Sequence, residues 1–417
     1  MIMTKDNPVS LPTDSQANPT PLWQFVRPDE YKVPVTAVAS TALRKWTAFK
    51  QLFIKNGENG DSPFKAEVEL KTLPEVRLRH LVPPIDWNEV AGALDAELEG
   101  WLDECSLEVP VQFVVFQPHC GQEDLLRHWA DLHDALLLES PTPEQILKAD
   151  PHWLGGWPNT DRVWVLPHLE HCFLRHANGL ELVRRFLEWA ASGRLGRGLI
   201  GCDSWGWAYL QRVGPRSQWS PLTLQAFDGA RLSRLFSRKK DTGDRNDRVR
   251  FLNAKTGKTI LSWLEDEGGA SSELNQLAGR CRGNFGTALI YWSQRLRAEP
   301  DEEDTAAVEE ESDRNASQRT KEESVWVAEL PDDMTLPVEK DESVAFVLHS
   351  LLLHNGLTEE LLSKLLSIPD FRIASLLRRL QASGAVVEEA GRWEVTAQGY
   401  SAVREYLSAR DYLLDGF

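Results

Sequence analysis

The feature that most constrains this chain is an alternation that begins at Pro83, where short apolar runs take turns with longer amphipathic stretches. The runs are VPVQFVVF (109–116), ALLLES (135–140), VWVLP (163–167), GLIGC (198–202) and PLTLQAF (221–227). Each has strand length, and near-continuous apolar character marks strands covered on both faces. DWNEVAGALDAELEGWLDE (86–104), EDLLRHWADLHD (123–134) and CFLRHANGLELVRRFLEWAA (172–191) carry helical spacing. Strands joined by crossover helices bury their apolar faces as a parallel sheet with helices on both sides. The expectation is an α/β fold with a doubly wound parallel sheet over residues 81–227.

The remainder divides by composition. Residues 1–80 read as a partly disordered N-terminal extension: 1–30 are rich in Pro, Asn, Ser and Thr, and one helical pattern over 33–55 precedes the breaker NGENGDSP. Residues 228–297 read as a helical lid, interrupted by the basic SRKKDTGDRNDR and by a sharp turn at Gly283–Gly286. Residues 298–341 are acidic and poor in apolar side chains, so burial there cannot offset chain entropy and a linker is expected. Residues 342–417 show three helices, two of them capped by Thr358 and Asp370, then the short strands AVVEE and RWEVT and a last helix. That order describes a winged helix-turn-helix.

Charge and cysteine usage exclude some functions. The net charge of −17 argues against broad nonspecific affinity for nucleic acid or anionic membrane. Five scattered cysteines with no C-x-x-C pair fit a reducing compartment. No apolar stretch reaches the ~18 residues of a membrane span, and no leader-type apolar segment opens the chain. A cytoplasmic location and no transmembrane segment are expected.

The stretch LAGRCRGNFGTALIYWSQRL (277–296) resembles the R-G-N-P-G-x-A-x-x-x-W helix pair of AAA+ ATPases, with Phe285 in place of Pro. With the strand order and the C-terminal winged helix, it makes residues 83–417 similar to the origin-recognition and STAND-like branches. The resemblance implies a phosphate loop after the first strand, of the form G-x-x-x-x-G-K-[ST]. This chain has Gln117-Pro118-His119-Cys120-Gly121-Gln122-Glu123 there. Gln122 stands for the Lys, and Glu123, a carboxylate that would repel triphosphate, stands for the Ser/Thr. By the same resemblance Glu170 is the acidic residue after the third strand, Asp203 or Ser204 the polar sensor after the fourth, and Arg280 or Arg282 the lid sensor. Gly121, Gln122, Glu123, Glu170 and Arg282 therefore form an expected vestigial nucleotide site. No catalytic residue, cofactor or metal is expected, with ATP or ADP binding left open.

Other constellations have plainer readings beside them. Thr256-Gly257-Lys258-Thr259 has a phosphate-loop ending, but Leu252 occupies the first glycine position, and a polar turn is the alternative. His168, Glu170, His171, Cys172 and His176 lie close together near the end of the third strand, and Cys172 and His176, four apart, could share a metal, but no H-E-x-x-H or paired-cysteine spacing completes a site. Cys120 beside His119 near a helix start is either an activated thiol or a small loop residue. Trp153, Trp157, Trp164, Trp205 and Trp207 either line a pocket or pack between layers. Arg238, Lys239 and Lys240 in the lid, with Arg372, Arg378 and Arg379 on the third C-terminal helix, are the candidate partner- or DNA-binding residues. Residues 341–417 hold eleven acidic and seven basic side chains, a balance of −4 unlike a basic DNA footprint. The resulting expectation is a catalytically inactive AAA+-like scaffold or regulator with a protein partner. A DNA-associated regulator and an active NTPase with an unusual phosphate loop are the alternatives.

Overall fold

The computed structural model describes residues 21–34, 70–82, 84–103, 109–157, 162–214, 219–238, 248–262, 270–298, 322–331, 334–337 and 341–417. The helical pattern at 35–55, the basic residues 239–247 and the acidic residues 299–321 lie outside them.

The main sheet contains β1 (Phe25–Val26), β3 (Val111–Phe116), β4 (Leu136–Leu137), β5 (Trp164–Leu166), β6 (Gly198–Asp203) and β7 (Leu222–Leu224), in the order β1-β7-β3-β6-β5-β4. All neighbours are parallel except β1, which pairs antiparallel with β7. A second sheet joins β2 (Lys71–Thr72), β8 (Arg248–Asn253), β9 (Thr259–Ser262), β10 (Leu296–Ala298) and β11 (Glu322–Val327) in the order β2-β10-β11-β8-β9. The longer helices are α1 (Trp87–Asp103), α2 (Gln122–Leu132), α3 (Glu181–Ala191), α4 (Ser204–Val213), α5 (Gly229–Phe236), α6 (Ser272–Arg280), α7 (Phe285–Arg295), α8 (Ser343–Leu353), α9 (Glu359–Leu365), α10 (Asp370–Ala382) and α11 (Ala397–Ser408). A two-stranded hairpin, β12 (Val386–Glu389) with β13 (Arg392–Val395), lies between α10 and α11.

The period-two alternation of β3 divides its side chains between two cores. Val111, Phe113 and Val115 face one cluster with α3, α4 and the helices after residue 342. Val114 and Phe116 face another with α1, α2 and α5–α7. Each fully buried apolar side chain of this size contributes about 1.5–3 kcal/mol. The C-terminal helices thus share one continuous core with the sheet: Trp205 on α4 and Leu351 on α8 belong to the same cluster.

Several expectations change. Within residues 1–30, expected to be largely disordered, 1–20 lie outside the described residues, while Trp23 and Phe25 are buried and Phe25–Val26 closes the sheet edge. The helix expected over 172–191 begins only at Glu181, because turns around Arg175–Gly179 precede it. The lid is not wholly helical: β8 and β9 pair antiparallel and Thr256-Gly257-Lys258 is their turn, with Gly257 at φ 66°. The acidic segment ends in β11, which pairs in parallel with β8 and buries Val325 and Val327.

Candidate functional site at the carboxyl edge of the sheet

In an open parallel sheet, ligand sites form beyond the carboxyl ends of the strands, where neighbouring connections diverge. Here β3, β5 and β6 end beside one another, and the polar residues that follow them meet.

After β3 the chain turns through Gln117–Gly121 into α2, with Gly121 as a left-handed N-cap at φ 66°. A Cβ there would strike the Trp87 indole, which covers the turn. Gln122 is buried, and its amide donates to the Pro167 carbonyl and to Glu170 Oε1 at 3.3 Å. Glu123 faces outward and accepts from Arg127 at 2.7 Å.

The R-G-N-F-G stretch docks on this turn. Arg282 and Gly283 both have positive φ, and a Cβ on Gly283 would collide with Ala226. Asn284 caps α7 by accepting from the Thr287 amide at 2.8 Å, while its side-chain amide donates to the Pro118 carbonyl at 2.7 Å. A Cβ on Gly286 would run into the His119 carbonyl. Phe285 packs against Trp23 and Phe227 at 5.2 and 5.3 Å. A crevice of about 10 Å³ remains among Tyr31, Phe116, Cys120, Thr223 and Phe285. That is the space of one water molecule.

A buried polar network closes the neighbouring edge. Asp203 caps α4 by accepting from the Trp205 amide at 2.8 Å. Ser204 donates to Asp415 Oδ2 at 2.6 Å and Tyr400 to the same oxygen at 3.3 Å. The Asp415 carboxylate forms an ion pair with Arg404. Arg282 donates through Nε and Nη2 to the Phe417 carbonyl at 3.2 and 3.0 Å. Trp205 Nε1 donates to Tyr400 at 3.0 Å, so this tryptophan joins α4 to α11. Trp153, Trp157 and Trp164 gather around Phe186. These tryptophans pack between layers.

Glu170 is the centre of the edge. It is fully buried in a 3-10 turn (Leu169–His171) after β5, and it accepts from the Asp203 amide at 2.9 Å and pairs with His168 Nδ1 at 2.8 Å. Burial pushes its carboxyl up, but the His168 hydrogen bond and charge, with His171 and the Asp203 amide, hold it well below the ordinary 4.5. Burial and the Glu170 charge push Asp203 well above its ordinary 3.8 against the pull of the Trp205 and Gly206 amides. Two adjacent carboxyls thus titrate in opposite directions because only one has cationic partners. Burial lowers the His168 imidazole, yet Glu170 and Glu123 outweigh it and raise the group. Burial takes His171 down to about 4 despite Glu170. The rings of His168 and His171 stack with centroids 4.7 Å apart.

The sequence offers Glu170 as the acidic residue after the third strand, and the turn after β5 carries it to the middle of the edge. His168 and His171 stand out in the sequence only as neighbours of Glu170 without a completed metal spacing, and the 3-10 turn is what brings them together with it. Cys172 and His176 do not come together: residues 172–176 are not helical, Cys172 is buried against the His168 carbonyl, and His176 is exposed. Cys120 is no activated thiol, since burial raises it to about 12 against the Gly286 and Phe285 amides.

Arg238 pairs with Glu89 and Arg372 with Asp341 at 2.6 Å, while Lys239 and Lys240 lie outside the described residues. Arg378 and Arg379 are exposed on α10, near Phe371, which is 79% exposed. No helix among the described residues is long and apolar enough to cross a membrane.

No protein-family profile and no curated protein matches the sequence. Among solved structures, the chain is similar to the Walker-type ATPase PABY2304 of Pyrococcus abyssi, with a TM-score of 0.30 and 11% identity, covering 77% of this chain and 95% of that chain.

Proposed function

We propose that this chain is a catalytically inactive AAA+-like protein, a pseudo-ATPase, that acts as a scaffold or regulator and holds a macromolecular partner through its lid and winged helix. The observation that carries the reading is the Asp415 carboxylate. It is buried among Ser204, Tyr400 and Arg404, and the Tyr400 ring lies 6.1 Å from that of His119 in the turn after β3. An internal anion thus takes up Ser204, an expected polar sensor, and Glu123 supplies a second negative charge at the start of α2. Gln122 cannot replace a lysine, because its amide is committed to Pro167 and Glu170. The lid arginine Arg282 is likewise committed to the Phe417 carbonyl.

Calorimetric titration with ATP and Mg²⁺ tests this reading. It predicts no binding heat and no phosphate release at millimolar nucleotide. Saturable binding with turnover would overturn it, and loss of that turnover in Lys258→Ala would favour the β8–β9 turn as the phosphate site. A second reading, a DNA-associated regulator, draws on the exposed Arg378 and Arg379 of α10. Duplex retardation that weakens with salt and disappears in Arg378→Ala/Arg379→Ala would establish it. No retardation at low salt would leave protein docking as the use of this face.

A further inference from the structure

The edge that closes over Asp415 leaves a different arrangement at the end of β5. His168, Glu170 and His171 each offer one ligand atom, and these atoms lie within 4.8 Å of one another. We propose that these three residues form a binding site for a divalent transition ion of the zinc class, held by two imidazole nitrogens and one carboxylate oxygen.

The donor set is the first argument. Two histidines and one carboxylate suit zinc and its first-row neighbours better than magnesium or calcium, which prefer oxygen ligands throughout. Zinc bonds to such atoms are about 2.0–2.2 Å long, so ligand atoms around one ion stand roughly 3.5 Å apart in a tetrahedron. His168 Nδ1 and Glu170 Oε1, at 2.8 Å, need only spread slightly to admit the ion.

The surroundings supply the second argument. Metal-binding side chains are usually oriented by outer hydrogen bonds. Glu170 has one oxygen fixed by the Asp203 amide at 2.9 Å, leaving Oε1 toward the histidines. His171 hydrogen-bonds the Asn355 backbone, and His168 Nε2 faces Glu123 Oε2 at 3.4 Å. Arg392 approaches His171 Nε2 at 3.3 Å, but it also donates to the Gly356 carbonyl at 2.7 Å and lies 4.0 Å from Glu394. On binding, the proton shared by His168 and Glu170 leaves to solvent and the ion takes its place. Three protein ligands leave a fourth position for a solvent or substrate atom, while Glu123, on the Nε2 side of His168, orients that ring from outside. The site is independent of nucleotide binding.

Zn²⁺ titration of the full chain in competition with a chromophoric chelator tests the assignment. One ion per chain is expected, and His168→Ala and His171→Ala should each weaken binding at least about tenfold. His152→Ala, which alters an exposed histidine beside Asp150, should change nothing. The His168 side chain is partly exposed, so its variant is expected to fold, as its circular dichroism spectrum would verify. Co²⁺ should give visible absorption bands without thiolate charge transfer. Absence of a one-ion site, affinity unchanged in His168→Ala, or a thiolate band implicating Cys172 or Cys202 would overturn the proposal.

Discussion

The two polar regions at the carboxyl edge solve the same physical problem in different ways. At the end of β6, the Asp415 carboxylate meets Arg404 and Tyr400 of the helix just before it and Ser204 from some two hundred residues earlier. At the end of β5, Glu170 is satisfied mainly by its immediate neighbours, with His168 two residues before it and the Asp203 amide on the adjoining strand. Burying a charge is costly unless it is paired and hydrogen-bonded, and both regions meet that condition. The difference lies in what each pairing joins. The Asp415 network ties the last helix to the sheet and fills a cleft, whereas the Glu170 cluster gathers imidazole nitrogens around one carboxylate.

Arg404→Ala should have the largest effect. It leaves Asp415 buried without its cation, and loss of about 3–5 kcal/mol is expected by denaturant unfolding. Little change in stability would mean that the network does not fasten α11 to the sheet. In Arg404→Met/Asp415→Asn, where the charge is removed as well, most of the loss should be recovered.

Glu170→Gln comes next, with about 2–3 kcal/mol lost at neutral pH from hydrogen bonds to a charged group. Its pH dependence separates it from Arg404→Ala. The folded-state pKa of Glu170 lies below the unfolded 4.5, so its ionisation stabilises the fold above 4.5 and that contribution disappears as the pH falls through the folded value. The stability gap between wild type and Glu170→Gln should therefore narrow in acid. A gap independent of pH between neutrality and pH 3 would show that Glu170 is not held ionised.

Asn284→Ala removes both the cap of α7 and the bond to Pro118, and about 1–2 kcal/mol should be lost in thermal or denaturant unfolding. The smallest effect is predicted for Arg378→Ala, whose exposed position on α10 implies a stability change within about 0.5 kcal/mol. A larger loss would place this arginine in the framework and remove it from the candidate docking face.

Much of the architecture was legible because its signals are local. The apolar runs of β3, β5 and β6 announce buried strands, and Thr358 caps α9 with its own side chain, whereas Asp370, expected to cap α10, is its first residue and Pro369 holds the cap position. The glycines of the R-G-N-F-G stretch also had a readable reason, although only the fold shows that Gly286 faces the His119 carbonyl. By contrast, β11 was hidden by its acidic surroundings: EESVWV gains its place by pairing with β8, about seventy residues earlier. The same holds for Phe25–Val26, too short to announce a strand without β7 beside it.

By itself the sequence determined the alternating α/β order, the Gln122 and Glu123 that follow β3, and the three helices and hairpin near the end of the chain. Those follow from side-chain periodicity, turn chemistry and residue identity, which act over a few positions. Only the tertiary structure decided that Asp415 returns to Ser204 across some two hundred residues, that Glu170 is buried while Glu123 is not, and that His168 and His171 stack beside it. Ionisation and ligand geometry depend on what surrounds a group in space, and packing brings those surroundings from parts of the chain that local patterns do not connect.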